Sequence, residues 1–326
     1  MSANNGTSLL SYARVNRGGY YPEEGWIFVE WYFMVMGYYT CKHFTHKSIN
    51  GEVVKNSIIY TWGKFREFLP YVFISVTIEY VYESLPLLAD GIKPFLKNFY
   101  NMPFELSLLS DSIVNEPVHV VPLWFLSSVF LVFLWFCCVM QMKDKYMLWL
   151  ISWTVPVLYY GYVGVIGGHT YPINLFRTFA GLMVGAFVYF ASTKLSMNKI
   201  VSDKLIFLLT FIECSSFLFV IISVFRNWQY HRLNLIAFAI GNMLIFSGIT
   251  ATSKIKARWM TFLGKISMPL FILHWSVGTV INYYLWERAY TTKIIFYYVG
   301  TFATALLSYF VIEYLKNSNF KKICGK

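Results

Sequence analysis

The stretch Trp26–Tyr39, WIFVEWYFMVMGYY, decides how the rest of the chain is read. It is a run of large apolar and aromatic side chains with a single carboxylate, Glu30, set a few residues in. A run of this kind suits a helix in hydrocarbon, where an acid is tolerated only when it turns inward to a hydrogen-bond donor or a cation. The whole chain fits that setting. Of its 326 residues 57% are hydrophobic, 20% aromatic and only 13% charged, and its mean hydropathy is +0.52, which excludes an ordinary soluble domain.

A bilayer core about 30 Å thick needs roughly 20 mostly apolar residues per helix. Runs of that kind fall at residues 25–41, 68–83, 122–141, 146–163, 174–192, 204–225, 234–251, 261–286 and 294–316. The short period-two segments of an outer-membrane barrel are not the pattern here. The fold expected is all-α, a polytopic bundle of about nine transmembrane helices forming one domain over residues 1–326, with no appended soluble domain. The five cysteines, Cys41, Cys137, Cys138, Cys214 and Cys324, fall mostly inside these runs and read as small hydrophobic filler rather than a disulfide framework.

A formal charge of +11 would suggest nucleic acid in a soluble protein, but in a membrane protein Lys and Arg report topology first, so no nucleic-acid partner is expected. With the N-terminus outside, the segments around residues 42–66, 143–145, 194–204, 254–265 and 316–326 are cytoplasmic and hold 18 of the 27 Lys and Arg residues. That bias sets the N-terminus outside and the C-terminus inside. Residues 1–24 contain no apolar core long enough for a signal peptide, so this topology leads us to expect a further helix upstream.

Two connections are long. Lys42–Glu67 mixes basic residues with Val53, Val54, Ile58, Ile59, Trp62 and Phe65, a pattern suited to a helix lying in the interface. Ser84–Val121 carries several charges among apolar residues and reads as a functional loop or a solvated cover. Gly161, Gly164, Gly167, Gly168, Gly181 and Gly185 allow close helix approach.

Five segments together carry a resemblance: GWIFVEWYFMVMGYY (25–39), KFREFLP (64–70), PLWFLS (122–127), LFRTFAGLMVG (175–185) and FLGKISMPLFILHW (262–275). Each is weak alone, but in this order they resemble the signature segments of the acyltransferase-three family, multi-spanning bacterial membrane enzymes that O-acylate surface sugars. The resemblance implies ten core helices with both ends cytoplasmic, so it agrees with the charge bias that a first helix is absent. It also implies a basic residue, ten residues and a histidine in that first helix. The residues eleven positions before the six histidines are Tyr32, Val35, Leu108, Leu158, Val220 and Leu263, none of them basic.

Acyl transfer to a hydroxyl needs a base, donors for the oxyanion and a path from a cytoplasmic donor to an outward acceptor. Glu30 and His274 are the candidate catalytic residues, each also readable as a buried group that fixes the bundle. Glu79, Glu213 and Glu313 raise the same question more weakly. Lys64 and Arg66, at the cytoplasmic mouth of the second span, are candidates for the phosphates of acyl-CoA or simple topology anchors. Arg177, His169 and Trp124, on the outer side, are candidates for the acceptor, against a buried pair and an aromatic belt as the plainer readings. No spacing supports a metal site, a phosphate-binding glycine loop or a serine elbow.

The resemblance thus implies an O-acyltransferase of the bacterial inner membrane in polysaccharide biosynthesis. It would move acyl, acetyl first, from acyl-CoA as co-substrate to a saccharide hydroxyl, with no tightly bound cofactor and with membrane lipid around it. Without the first helix and its histidine motif, the chain is expected to be inactive as it stands; the alternatives are a sugar-lipid transporter or flippase, and a non-catalytic scaffold of polysaccharide synthesis.

Overall fold

The computed structural model describes residues 27–46, 52–109, 120, 122–163, 173–196, 202–226, 228, 230–255, 257–285 and 288–324, and among them it is helical with no strand. The helices are α1 (Ile27–His46), α2 (Val53–Ser84), the short α3 (Ile92–Asn98) and α4 (Met102–Leu106), α5 (Leu123–Met140), α6 (Lys145–Pro156), α7 (Ile173–Ser196), α8 (Asp203–Phe225), α9 (His231–Ser247), α10 (Arg258–Tyr284) and α11 (Tyr290–Cys324). Their ends have local causes. The Asp144 side chain accepts from the Tyr146 and Met147 amides at the start of α6, and that of Ser202 accepts from the Leu205 amide at the start of α8. Gly248, at φ 74°, closes α9 in the left-handed region that favours glycine.

Six stretches are long and apolar enough to cross a membrane: Val53–Asp90, Leu123–Met140, Asn174–Ser196, Asp203–Phe225, Arg258–Tyr284 and Thr291–Lys316. Three of the nine expected spans are not among them. The first falls on α1, whose 20 residues reach about 30 Å but whose Glu30, Lys42, histidines and tyrosines lower its hydropathy. The fourth falls on α6, which has 12 residues and continues as a π-helical turn over Val157–Val163. The seventh falls on α9, with 17 residues. Position explains the first case, because α1 packs against α5, α7 and α9 and meets protein where an outer helix would meet lipid. The outer helices show the converse. Only 11% of the apolar window of α8 is buried, against 67% in α5 and α7, and Phe207, Phe211, Leu218 and Phe225 point outward.

Side-chain pairs give the helix directions. Glu30, Phe33 and Gly37 of α1 face Arg177, Gly181 and Gly185 of α7, so the two run parallel. α9 also runs parallel to α1, since Trp31 Nε1 donates to Asn242 Oδ1 at 3.2 Å and Tyr38 stacks on Phe246 at 4.0 Å. α2 runs antiparallel to α5, with Ser57 bonded to Gln141 and Phe65 against Phe130 and Phe133. It runs parallel to α10, with Ser75 against Ile272 and Ser276, and Tyr82 against Tyr283. α8 and α9 are antiparallel, and so are α10 and α11.

The connection Lys42–Glu67 departs from the interfacial helix expected. Residues 53–67 are the first half of α2, which continues without interruption through Pro70 for 32 residues. Contacts of Ser57, Thr61 and Phe65 along α5 make that half a wall of the bundle. α10 likewise carries a proline, Pro269, inside its length. In the 84–121 connection, Glu105 is buried, accepting from the Tyr80 hydroxyl at 3.1 Å and the Val120 amide at 3.3 Å. That ties α4 to the ends of α2 and α5.

Of the glycines expected to allow close approach, Gly181 and Gly185 do so. A Cβ on Gly161 would meet nothing within 4 Å, so that glycine stands open, and Gly164, Gly167 and Gly168 lie outside the described residues. Cys41, Cys137, Cys138 and Cys214 are free.

Candidate functional site

Glu30 lies in the first turn of α1, where the positive end of the helix dipole favours a carboxylate. It is 1% exposed, and Arg177, on α7, is fully buried. Arg177 Nε donates to Glu30 Oε1, and the Tyr160 hydroxyl donates to Oε2 at 2.5 Å. Both carboxylate oxygens are therefore engaged, as a charge held out of water requires. The ring of Trp124, at the start of α5, lies 5.2 Å from the Arg177 guanidinium carbon, a cation–π distance. Four segments thus meet at one end of the bundle: α1, α5, α7 and the turn after α6.

Local sequence explains two of these placements. Pro156 closes α6, because proline has no amide to donate and crowds the preceding turn, and the chain then widens into the π-helical turn that carries Tyr160. On α7, Gly181 and Gly185 let the backbone of α1 come so near that an added Cβ at Gly185 would lie 2.1 Å from the Met34 carbonyl oxygen. That approach brings a short acid and an arginine into direct contact.

Around the ion pair the protein leaves polar capacity open. Asn174 and Thr178 lie on the Arg177 side of α7, and Ser127 stands three residues after Trp124 on α5. All three are buried, and the Asn174 amide atoms, Thr178 Oγ1 and Ser127 Oγ have no hydrogen-bond partner among the described residues. Buried polar atoms in native proteins are nearly always satisfied, by protein, water or ligand. Such a set is equipped to receive a small molecule or water carrying hydroxyl groups.

The other expected site residues are placed differently. His274, on α10, is half-buried, and its Nδ1 lies 2.6 Å from the Phe271 carbonyl oxygen. A carbonyl only accepts, so Nδ1 carries the hydrogen and Nε2 keeps the lone pair of a base. No hydrogen bond joins His274 to Glu30, Tyr160 or Arg177 among the described residues. α1 and α10 instead meet through rings near each, with Phe271 5.3 Å from both Tyr32 and Phe125. Lys64 and Arg66 are exposed on either side of Phe65, beside the middle of α5 rather than at a mouth. Two residues apart on a helix they point about 200° from each other, so they do not form one clamp. Lys64 Nζ sits 5.8 Å over the Tyr60 ring. His169 lies outside the described residues.

Tyr160 was not foreseen. It lies in LYYGYV, where nothing separates it from the tyrosines on either side, and its partner is 130 residues away. Comparison of the chain with protein-family models, curated proteins and solved structures found no match.

Proposed function

We propose that the protein is an integral membrane O-acyltransferase. It transfers an acyl group, acetyl first, from cytoplasmic acyl-CoA to a hydroxyl of a cell-surface polysaccharide or its precursor. The observation that carries this reading is the convergence of three of the resembling segments, 25–39, 122–127 and 175–185, on the buried Glu30–Arg177–Trp124 unit. Segments that share only a membrane composition have no reason to meet at one polar point. Open hydrogen-bonding groups beside that point support an acceptor bearing hydroxyls.

Nine crossings with the N-terminus outside belong to the same reading. α1, α7 and α9 run one way, α2 and α10 share a direction, and α8 opposes α9, as strict alternation requires. The excess of Lys and Arg on one side supplies the orientation.

In the reaction, the acceptor oxygen attacks the thioester carbonyl, the carbon–sulfur bond breaks, and CoA leaves as a thiolate. His274 Nε2 takes the hydroxyl proton and passes it to that thiolate. Glu30, with both oxygens engaged, is a positioning residue that fixes Arg177 beside the acceptor.

The test uses purified full-length protein in lipid nanodiscs with radiolabelled acetyl-CoA and candidate oligosaccharides, following CoA release and label in the saccharide together. Acceptor-dependent release is expected, falling at least tenfold in Arg177→Lys and His274→Gln. Folded protein that neither binds nor consumes acyl-CoA with any acceptor would overturn the proposal.

A further inference from the structure

Glu213 lies near the middle of α8, the most exposed of the long helices, yet it is only 2% exposed itself. It belongs to the stripe of α8 that faces α9 and the turn beyond. Thr210 Oγ1 accepts from the Ala251 amide at 3.0 Å, and Phe217 packs over Gly241. With 17 residues against the 23 of α8, α9 stops early, and the register that sets Gly241 against Phe217 brings its last turn to the height of Glu213. Glu213 is ten residues from the start of α8, about 15 Å along it. The negative end of a helix dipole and a carboxylate therefore share one depth within an apolar helix.

Glu213 Oε1 accepts from Thr252 Oγ1, which lies 3.2 Å from the Oγ1 of the fully buried Thr250. Oε2 has no hydrogen-bond partner, and no Lys, Arg or His forms an ion pair with Glu213 among the described residues. Two negative groups with no positive one between them are costly in a low dielectric. The groups in contact are oxygens, a carboxylate and two hydroxyls. The carbonyls that end α9 lie at the same depth, those of Leu244 and Ile245 also accepting from Ser247 Oγ and the Gly248 amide. That donor set suits a hard cation, and a single carboxylate balances one positive charge.

We propose that Glu213, Thr250, Thr252 and the carbonyls ending α9 form a binding site for a monovalent alkali cation, sodium first. The site is separate from the Glu30–Arg177 unit and does not depend on the acyl-transfer reading.

The test is thermal unfolding of the full chain in zwitterionic-lipid nanodiscs, with sodium chloride replacing choline chloride at constant ionic strength and pH. A cation that binds only the folded state raises the midpoint with its concentration, by on the order of 2 °C at tenfold excess over its Kd. Glu213→Gln should lose this response, and Thr252→Val should shift the sodium concentration needed for a given rise upward by about tenfold, the loss of one ligating hydrogen-bonding group. Equal midpoints for the native protein in the two salts would overturn the proposal, as would a sodium response kept by Glu213→Gln. A Glu213→Gln variant that melts higher than the native protein in both salts would also overturn it, and would identify a proton as the occupant. If Glu213→Gln fails to fold, Thr252→Val decides, because an unchanged sodium dependence refutes the site.

Discussion

Replacing Gly185 with alanine is expected to separate α1 from α7. The new Cβ would sit 2.1 Å from the Met34 carbonyl oxygen and 2.6 Å from the Tyr38 amide nitrogen, and Gly37 Cα lies at 2.9 Å. These are backbone atoms, so no side chain can rotate away. Restoring ordinary contact distances requires the helices to part by roughly 1 Å, and gaps of that size forfeit a quarter to a half of each dispersion well along the seam. Overpacking typically costs about 1–3 kcal/mol, and rigid backbone on the far side puts this case near ~3 kcal/mol or above. That corresponds to a fall of about 4 °C or more in Tm for a chain of 326 residues. Tryptophan fluorescence during thermal unfolding in detergent reads the shift. Gly63→Ala and Gly264→Ala are the controls, since a Cβ at either glycine meets nothing within 4 Å and alanine is the better helix former by up to ~1 kcal/mol. A Gly185→Ala protein melting within about 1 °C of the native chain would refute the close seam.

Arg177→Met should cost about 3–5 kcal/mol, because it strands the Glu30 carboxylate in a dry site, whereas Glu30→Gln with Arg177→Met should cost far less than the two single changes added. Additive losses in that double-mutant cycle, measured by chemical unfolding, would mean the pair is not coupled. Ser276→Ala removes its link to Ser75 Oγ at 2.7 Å and its bond to the Ser75 carbonyl at 3.0 Å. Polar pairs between membrane helices average only ~0.6 kcal/mol, so the expected loss is about 0.5–1.5 kcal/mol, and one above ~3 kcal/mol would contradict the assignment.

Much of this architecture was legible because hydrocarbon is a strict solvent. Glu30 and Arg177 stand out as ionisable residues in apolar runs, and the need for an inward partner follows from cost alone. That they would be each other's partner did not follow, since 147 residues separate them and only the glycine-mediated approach of α1 and α7 joins them. Mean hydropathy leaves α1 out of the six long apolar stretches for an equally physical reason. Hydropathy measures fitness for lipid, and a helix surrounded by other helices is released from that requirement. The length of α2 was hidden by Lys55, Lys64, Arg66 and Glu67, which read as a boundary but lie on outward faces of a helix whose other face packs on α5. Gly161 and Gly185 look alike in sequence. Only the second lies against a neighbouring backbone.

The prolines of α2 and α10 have a mechanical consequence. Pro70 and Pro269 each delete one rung of their helix, freeing the carbonyls of Arg66 and Lys265. Because the two helices run parallel with Ser75 between Ile272 and Ser276, the missing rungs stand within about one turn of the same height. Two neighbouring rods softened at one level can bend together there, where a single intact rod beside a softened one would resist. The serine clasp lies about a turn beyond the prolines, so it fastens the rods above the soft level and leaves bending to the segments below it.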